Sequence, residues 1–307
     1  MDLWYSAFGL TISSPIELPE LRACEPLSTN ADVLISLGEV AKPPSGAFFV
    51  ERWIETHGDS VILFWPDVGG FKVQDGSRIT IDPCEGCNLE VIRLFLLGTT
   101  LAILLHQRGL AVFHAGAVDI AGQGVMLVGK KGAGKSSLAG MLYSLGHGFL
   151  SDDLAVMDLD VEPYLLRPGF PHLKLWPDSA ETIFTGQTLR RLRPESEKLG
   201  YRFEQESSDW PPLRAVLFLD EGDCLRLDSL GPQQAAIDLM SNWYGARFGQ
   251  DLFAYLGPEL HLRQCTSVAA KAVAYRFYRP NNISGLKSQA EYLVQSLERD
   301  LAISAKK

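Results

Sequence analysis

A mixed α/β fold is predicted for this chain by three observations. They are a glycine-rich turn set between a strand and a helix, short β-prone runs over residues 1–88, and helical apolar spacing near the far end. The turn is Gly129-Lys130-Lys131-Gly132-Ala133-Gly134-Lys135-Ser136, which fits the phosphate-loop pattern G-x-x-x-x-G-K-[ST]. Val125-Met126-Leu127-Val128 before it reads as a short buried strand. Leu138, Met141, Leu142 and Leu145 after it keep helical spacing until Gly146, a stop signal. In that order, backbone N–H groups and a helix N-terminus converge on a polyphosphate. Lys135 is expected to reach the β- and γ-phosphates and Ser136 to ligate Mg²⁺, with Ser137 beside them, so ATP and Mg²⁺ are the expected cofactors.

The flanks narrow the chemistry. His147-Gly148-Phe149-Leu150-Ser151 leads into the adjacent carboxylates Asp152 and Asp153. Upstream, a strand carrying His114 runs through Asp119 and Ile120 into a polar turn at Gly122 and Gly124, then into the strand of the loop. Histidine strand, phosphate loop and aspartate pair thus fall in one compact stretch. General P-loop ATPases place the Mg²⁺-binding aspartate much further along.

This ordered set, His114, Gly129 to Ser136, Gly146-His147 and Asp152-Asp153, resembles the HPr kinase/phosphorylase family, whose core is similar to that of phosphoenolpyruvate carboxykinases. The resemblance implies a P-loop core with a mixed β-sheet and flanking helices. It also implies that Asp152 acts as base toward a protein serine hydroxyl, that Asp153 joins Ser136 in supporting the metal, and that His114 lies near the transferring phosphate. Two departures stand out. Members acting on HPr carry a glutamate after the loop serine, where this chain has Ser137, and a glycine-rich docking segment downstream. Here that place holds Leu166 to Asp178, with Arg167, His172, Lys174 and Trp176 in a proline-punctuated loop expected to clamp phosphates or an acidic peptide. HPr-kinase-like proteins associated with ribosomally made peptides, such as lasso peptides, are the better match. Their openings are similar to Tyr5 through Ile12 and Ile16 through Leu21.

Phosphoryl transfer needs in-line positioning, charge neutralisation by Lys and Mg²⁺, and a residue orienting the nucleophile. One member of a carboxylate pair supplies the last. Adjacent residues of a strand point to opposite faces, so both aspartates reach the phosphates only if the chain bends near Ser151.

Composition agrees with an intracellular enzyme. A chain of 307 residues suggests about two domains. A net charge of −9 and a pI near 5.2 have the wrong sign for holding nucleic acid. No basic leader precedes an apolar core, and Leu94 to Leu105 reads as too short to span a bilayer, so a buried helix joining the domains is expected. Cysteine usage, five in all, suits a reducing, cytoplasmic setting without membrane attachment. Cys84-Glu85-Gly86-Cys87 lacks a second ligand pair and reads as a turn at a helix start.

Residues 1–88 are expected to form a smaller β-rich domain, from runs such as Val33–Leu37, Phe48–Val50, Val61–Trp65 and Ile79–Ile81 among Pro, Gly and Asp clusters. Its role is substrate recognition or capping of the core. Residues 89–307 make the P-loop domain. Within it, Arg276 and Arg279 flank an alternating strand and are candidates to approach the nucleotide. Ala290, Leu293, Leu297 and Leu301 mark one face of a docking helix.

Ala215 to Asp220-Glu221 competes with the aspartate pair, since it resembles the Walker B strand of an ATPase. Gly222-Asp223 directly after it reads equally as a hairpin turn. The expectation is an ATP- and Mg²⁺-dependent kinase acting on a serine hydroxyl of a peptide or small protein, with homo-oligomerisation implied by the family. A P-loop ATPase and an HPr kinase of sugar regulation are the alternatives.

Overall fold

The computed structural model describes residues 2–26, 30–44, 52–185, 190–191, 197–203, 210–242 and 250–304. The run expected at Phe48–Val50 lies outside the described residues.

Strands β1 (Leu3–Ala7), β2 (Leu10–Ser14), β3 (Arg22–Ala23), β4 (Val33–Leu37), β5 (Trp53–His57), β6 (Ser60–Trp65), β7 (Gly69–Gln74) and β8 (Arg78–Pro83) form one eight-stranded sheet, ordered β3-β1-β2-β4-β8-β7-β6-β5. Helix α1 (Leu89–Phe95) runs through a π-helical turn (Leu96–Thr100) into α2 (Leu101–Gln107). Asn88 caps α1 by accepting a hydrogen bond from the Glu90 N–H, worth about 1 kcal/mol. The Cys84–Cys87 segment is a turn before this cap, as its Pro and Gly suggest, with the Cys87 N–H bonded to the Cys84 carbonyl at 3.2 Å.

Ile92, Leu96, Leu101, Leu104 and Leu105 share a core with Phe71, Ile79 and Ile81 of the sheet. Packing is therefore continuous across residue 88, where a domain boundary was expected, because the apolar stripe of the helix is spent on this first sheet. The same helix, Leu89–Gln107, spans 19 residues and is apolar enough to cross a bilayer, contrary to the shorter tract read from Leu94 to Leu105. Here most of it is buried against protein.

The rest of the chain is built on β9 (Ala111–Phe113), β10 (Ala115–Ile120), β11 (Gln123–Val128), α3 (Lys135–Ser144), β12 (Gly148–Ser151), β13 (Ala155–Met157), β14 (Leu166–Arg167), β15 (His172–Leu175), α4 (Pro177–Ile183), β16 (Arg190–Arg191), β17 (Leu199–Arg202), β18 (Leu213–Glu221), β19 (Arg226–Leu230), α5 (Pro232–Ser241), α6 (Gln250–Leu256), α7 (Pro258–Lys271), β20 (Val273–Arg279) and α8 (Leu286–Ser304). Its central mixed sheet is ordered β12-β10-β11-β18-β20-β19, with β11, β18 and β20 parallel. Helices α3 and α8 cover one face through Leu138, Leu142, Leu293 and Leu297. Helices α5 and α7 cover the other through Ala235, Leu239, Cys265 and Val268. The β10–β11 hairpin turns through Ala121 and Gly122, both at positive φ, which suits a two-residue turn between twisted strands.

One sequence expectation is corrected. Asp220 to Asp223 does not turn a hairpin between β18 and β19, because β20 inserts between them and pairs with both. The parallel pairing of β18 with β20 aligns Leu217 and Leu219 with Tyr275 and Phe277, so an adjacent β19 would leave that apolar edge bare.

His261 on α7 is 2 % exposed, and burial lowers its pKa to about 4. The unfolded chain binds a proton below about 6.5 that the folded imidazole refuses, so stability is present above that pH and is lost as pH falls toward 4. In urea unfolding, His261→Gln should flatten this part of the stability profile relative to wild type. Parallel profiles for the two proteins would remove His261 from the account.

Candidate active site

The phosphate loop joins β11 to α3 as the pattern requires. Gly134 is the residue before α3 and sits at φ +81°, a left-handed conformation that glycine adopts freely. No side chain caps α3, so its first N–H groups face the loop. Lys135 is 7 % exposed, and its ammonium donates to the Gly129 carbonyl at 2.7 Å and the Lys130 carbonyl at 3.4 Å.

The carboxylate pair lies beside the loop because two strands change sheets together. β10 pairs with β12 in the central sheet, while β9 pairs with β13 in a smaller one. His114 links β9 to β10, and Asp152 to Leu154 link β12 to β13. The expected bend is present just past Ser151. The Leu154 N–H bonds back to the Asp152 carbonyl at 2.8 Å, and Asp153 between them holds φ +65°. A γ-turn with a non-glycine residue at positive φ is strained backbone of a kind concentrated at functional sites. His114 Nδ1 lies 3.2 Å from the Asp153 carbonyl oxygen. A carbonyl only accepts, so Nδ1 carries the proton in that bond.

The bend gives the two aspartates different partners. Asp152 is 4 % exposed; the Ser136 hydroxyl donates to its Oδ1 at 2.9 Å and the Lys174 N–H to its Oδ2 at 3.2 Å. Asp153 accepts from the Lys174 ammonium at 3.0 Å. Burial, and then the charge of Asp153, push the Asp152 carboxyl up to about 6 against the pull of Lys174 and Ser136. Burial also acts upward on Asp153, but Lys174, His114 and Lys198 outweigh it and hold that carboxyl well below the usual range. The resemblance puts Ser136 with Asp153 on the metal side; in the structure the Ser136 hydroxyl is hydrogen-bonded to Asp152.

A cavity of about 550 Å³ brings together His114, Lys131, Gly132, Gly134, Lys135, Ser136, Ser137 and Asp153. Gly129, Lys130 and Ala133 open on the other side of the loop, into a second cavity of about 560 Å³ that also contains Asp220 and Glu221. Ser137 shares a hydrogen bond of 2.9 Å with Ser179 of α4. Asp152 lies behind the wall of the first cavity. Asp220 is held by Arg276 at 3.3 Å, and Arg276 also pairs with Asp238.

Part of the loop expected over Leu166 to Asp178 is the strand β15, paired with β17, which carries Lys174 into the cavity. Trp176 is half exposed at the cavity rim with the Lys198 ammonium over its ring, 5.5 Å from the centroid. Arg167 instead stacks on Trp210 and donates to the Phe8 carbonyl, away from the phosphate loop. His172 is held neutral by burial, its pKa near 4. Sequence reasoning missed Lys198, Asn281 and Asn282, which also line the cavity. No spacing signal marked them, since each arrives on a segment remote from the motif.

Lys131, Lys135, Lys174, Lys198 and Arg279 thus face one cavity against Asp153 and Asp178. In a chain of net charge −9 this local excess of cations suits a polyphosphate. Two hard oxygen donors, the Ser136 hydroxyl and the buried Asp152 carboxylate, fit Mg²⁺, which favours a carboxylate, water and phosphate oxygens.

Comparison with known proteins agrees with the motif. The HPr kinase/phosphorylase of Chlorobium limicola is 43 % identical over 63 residues, 20 % of this chain and 18 % of that protein. Over that segment this chain is HPr kinase-like. The corresponding proteins of Chlorobium phaeobacteroides and Chlorobium chlorochromatii are 44 % identical over 57 residues and 49 % over 45. The match to these curated relatives spans less than a fifth of their length, 18 % or less. No family model matches the chain. Among solved structures, the HPr(Ser) kinase/phosphatase from Coxiella burnetii aligns with a TM-score of 0.29 and 12 % identity, covering 64 % of this chain and 99 % of that one. That likeness is too slight to reason from. The HPr kinase-like segment and the geometry of Ser136 and Asp152 stand independently of it.

Proposed function

We propose that this protein is an ATP- and Mg²⁺-dependent kinase that transfers the γ-phosphate to a serine hydroxyl of a peptide or small protein. The observation that carries the reading is the 2.9 Å hydrogen bond from Ser136 to Asp152, with Asp153 beside it in the cavity. Ser136 and Asp152 would hold Mg²⁺, which when bound neutralises charge on the β- and γ-phosphates. The elevated pKa of Asp152 has the cause a cation would relieve, namely burial next to a second carboxylate. Lys135 and the loop N–H groups bind the phosphates. Asp153, kept ionised by Lys174, accepts the hydrogen bond of the acceptor hydroxyl, orients it and takes its proton as the serine O–P bond forms and the bond to the ADP leaving group breaks, and His114 steadies the Asp153 turn through its carbonyl. This exchanges the roles that the family resemblance implies for the two aspartates.

The hydrolase alternative draws support from β18, the parallel neighbour of the loop strand, which delivers Asp220 and Glu221 to the second cavity. It is disfavoured because Asp220 is occupied by Arg276 and the loop serine points to the other carboxylate pair. The acceptor reading rests on the segment Leu166 to Asp178, which forms β14, β15 and the start of α4 in place of a glycine-rich docking segment. A cytoplasmic setting and homo-oligomerisation accompany it as part of the same reading.

Incubation with ATP, Mg²⁺ and the serine-containing peptides encoded beside its gene should add phosphate to a serine of one of them, read by mass spectrometry, with HPr a poor acceptor. Efficient phosphorylation of HPr and none of any such peptide would overturn the acceptor class and leave the kinase. ATP consumption without a phosphorylated acceptor of either kind would overturn the kinase.

A further inference from the structure

Two arginines of β20 differ in how their charges are met. Arg276 pairs with Asp220 and Asp238. Arg279, the last residue of the strand, is 7 % exposed and bonds only to neutral acceptors. Its Nη2 donates to the Ala133 carbonyl in the phosphate loop at 2.6 Å, and its Nη1 donates to Gln289 Oε1 of α8 at 2.6 Å. Among the described residues no carboxylate lies within ion-pair distance of it. Its neighbour across the β18–β20 ladder, Glu221, is exposed and makes no ion pair with it. A buried guanidinium without a counter-charge is costly, and such groups persist where a ligand supplies the charge.

The position of Arg279 says which ligand. It lines the cavities on both sides of the phosphate loop, in each case together with Lys131 and Gly132. It also packs against Gly134 so closely that a Cβ there would collide with the guanidinium, on a residue already at positive φ. Two of the five N–H donors of the planar fork are used by Ala133 and Gln289. Gln289 is itself anchored, donating to the Pro280 carbonyl at 2.9 Å, so the fork is held in place from the α8 side.

We propose that Arg279 is a phosphate-binding residue whose buried charge is neutralised by the polyphosphate of a nucleoside triphosphate seated in the loop, with Ala133 and Gln289 orienting the fork. The inference rests on the nucleotide-binding reading above and adds a cation from outside the motif. Burial lowers the pKa of Arg279, in keeping with a charge that lacks a partner in the free protein. Gln289 is a positioning residue in this scheme.

The test uses the full chain and compares wild type with Arg279→Gln and Arg279→Lys, measuring affinity for MgATP and for inorganic tripolyphosphate by calorimetry, and melting temperature without ligand. Arg279→Gln should weaken both ligands about tenfold or more, the scale of one charge-assisted hydrogen bond. Arg279→Lys should fall between, since it keeps the charge but not the fork. The ligand-free melting temperature of Arg279→Gln should hold or rise, because a buried unpaired charge has been removed. Unchanged affinity in Arg279→Gln, with a lowered melting temperature, would make Arg279 a structural brace and overturn the proposal while wild-type binding stands. If Arg279→Gln does not fold, wild-type affinity in Arg279→Lys overturns it equally. Wild-type protein that binds neither ligand would sink the nucleotide reading itself, and this inference with it.

Discussion

Lys135→Ala is expected to lower ATP-dependent phosphoryl transfer at least about a hundredfold, as loss of a preorganised charge at the reacting phosphate does. The side chain is buried and its ammonium is held against the loop carbonyls of Gly129 and Lys130, inside the same backbone cradle that would receive the phosphates. Binding should weaken as well, because alanine removes a charge that water cannot replace in a closed loop. Transfer from labelled ATP and nucleotide calorimetry, with circular dichroism to check folding, give the answer. Near-normal turnover would mean that this loop is not the phosphate cradle.

The second large effect separates the carboxylates. On the proposed roles, Asp153→Asn should cut transfer by about 10²- to 10⁴-fold while MgATP binding survives, since the substitution leaves the loop intact. Asp152→Asn should instead lower the Mg²⁺ dependence of nucleotide binding, because it removes the buried negative charge next to Ser136. Glu221→Gln should be nearly silent: its side chain is exposed, with its backbone N–H bonded to Asp220. The opposite result for the aspartates would restore the roles implied by the family. Glu221→Gln that binds ATP but no longer turns it over would move the protein to the hydrolases.

Local sequence carried the phosphate loop well, because its strand, glycines and helix are neighbours in the chain and need no tertiary information. The short β runs at Val33–Leu37, Val61–Trp65 and Ile79–Ile81 were legible for the same reason. The aspartate pair was visible, but the division between its members was not. It depends on a γ-turn at Asp153 and on Lys174, which arrives from β15. Proline punctuation around Lys174 disguised that strand as a loop, since β15 is short and its pairing partner β17 lies beyond α4. Asp220-Glu221 misled in the other direction. Its position at the end of a strand parallel to β11 is that of a Walker B motif, and only the fold shows that Arg276, far away in sequence, pairs with Asp220 while also serving Asp238.

The turn between β1 and β2 bears on how this protein could have been assembled. Phe8 sits at that turn at φ +54°, 1 % exposed, and its N–H bonds to the Pro168 carbonyl at 2.8 Å. Its ring meets Phe170 edge-on, and the backbone continues from there into β15 and Lys174. Phe170, Leu154 and Val156 belong to the same core as the first sheet and its helix. The N-terminal sheet is thus wedged under the segment that delivers a cavity cation. A recombination event that swapped residues 1–88 for another recognition module would strip one wall from the chemistry it was meant to redirect. New acceptors would be reached more readily by substitution at the cavity rim, around Trp176 and Asn281, than by shuffling of whole segments.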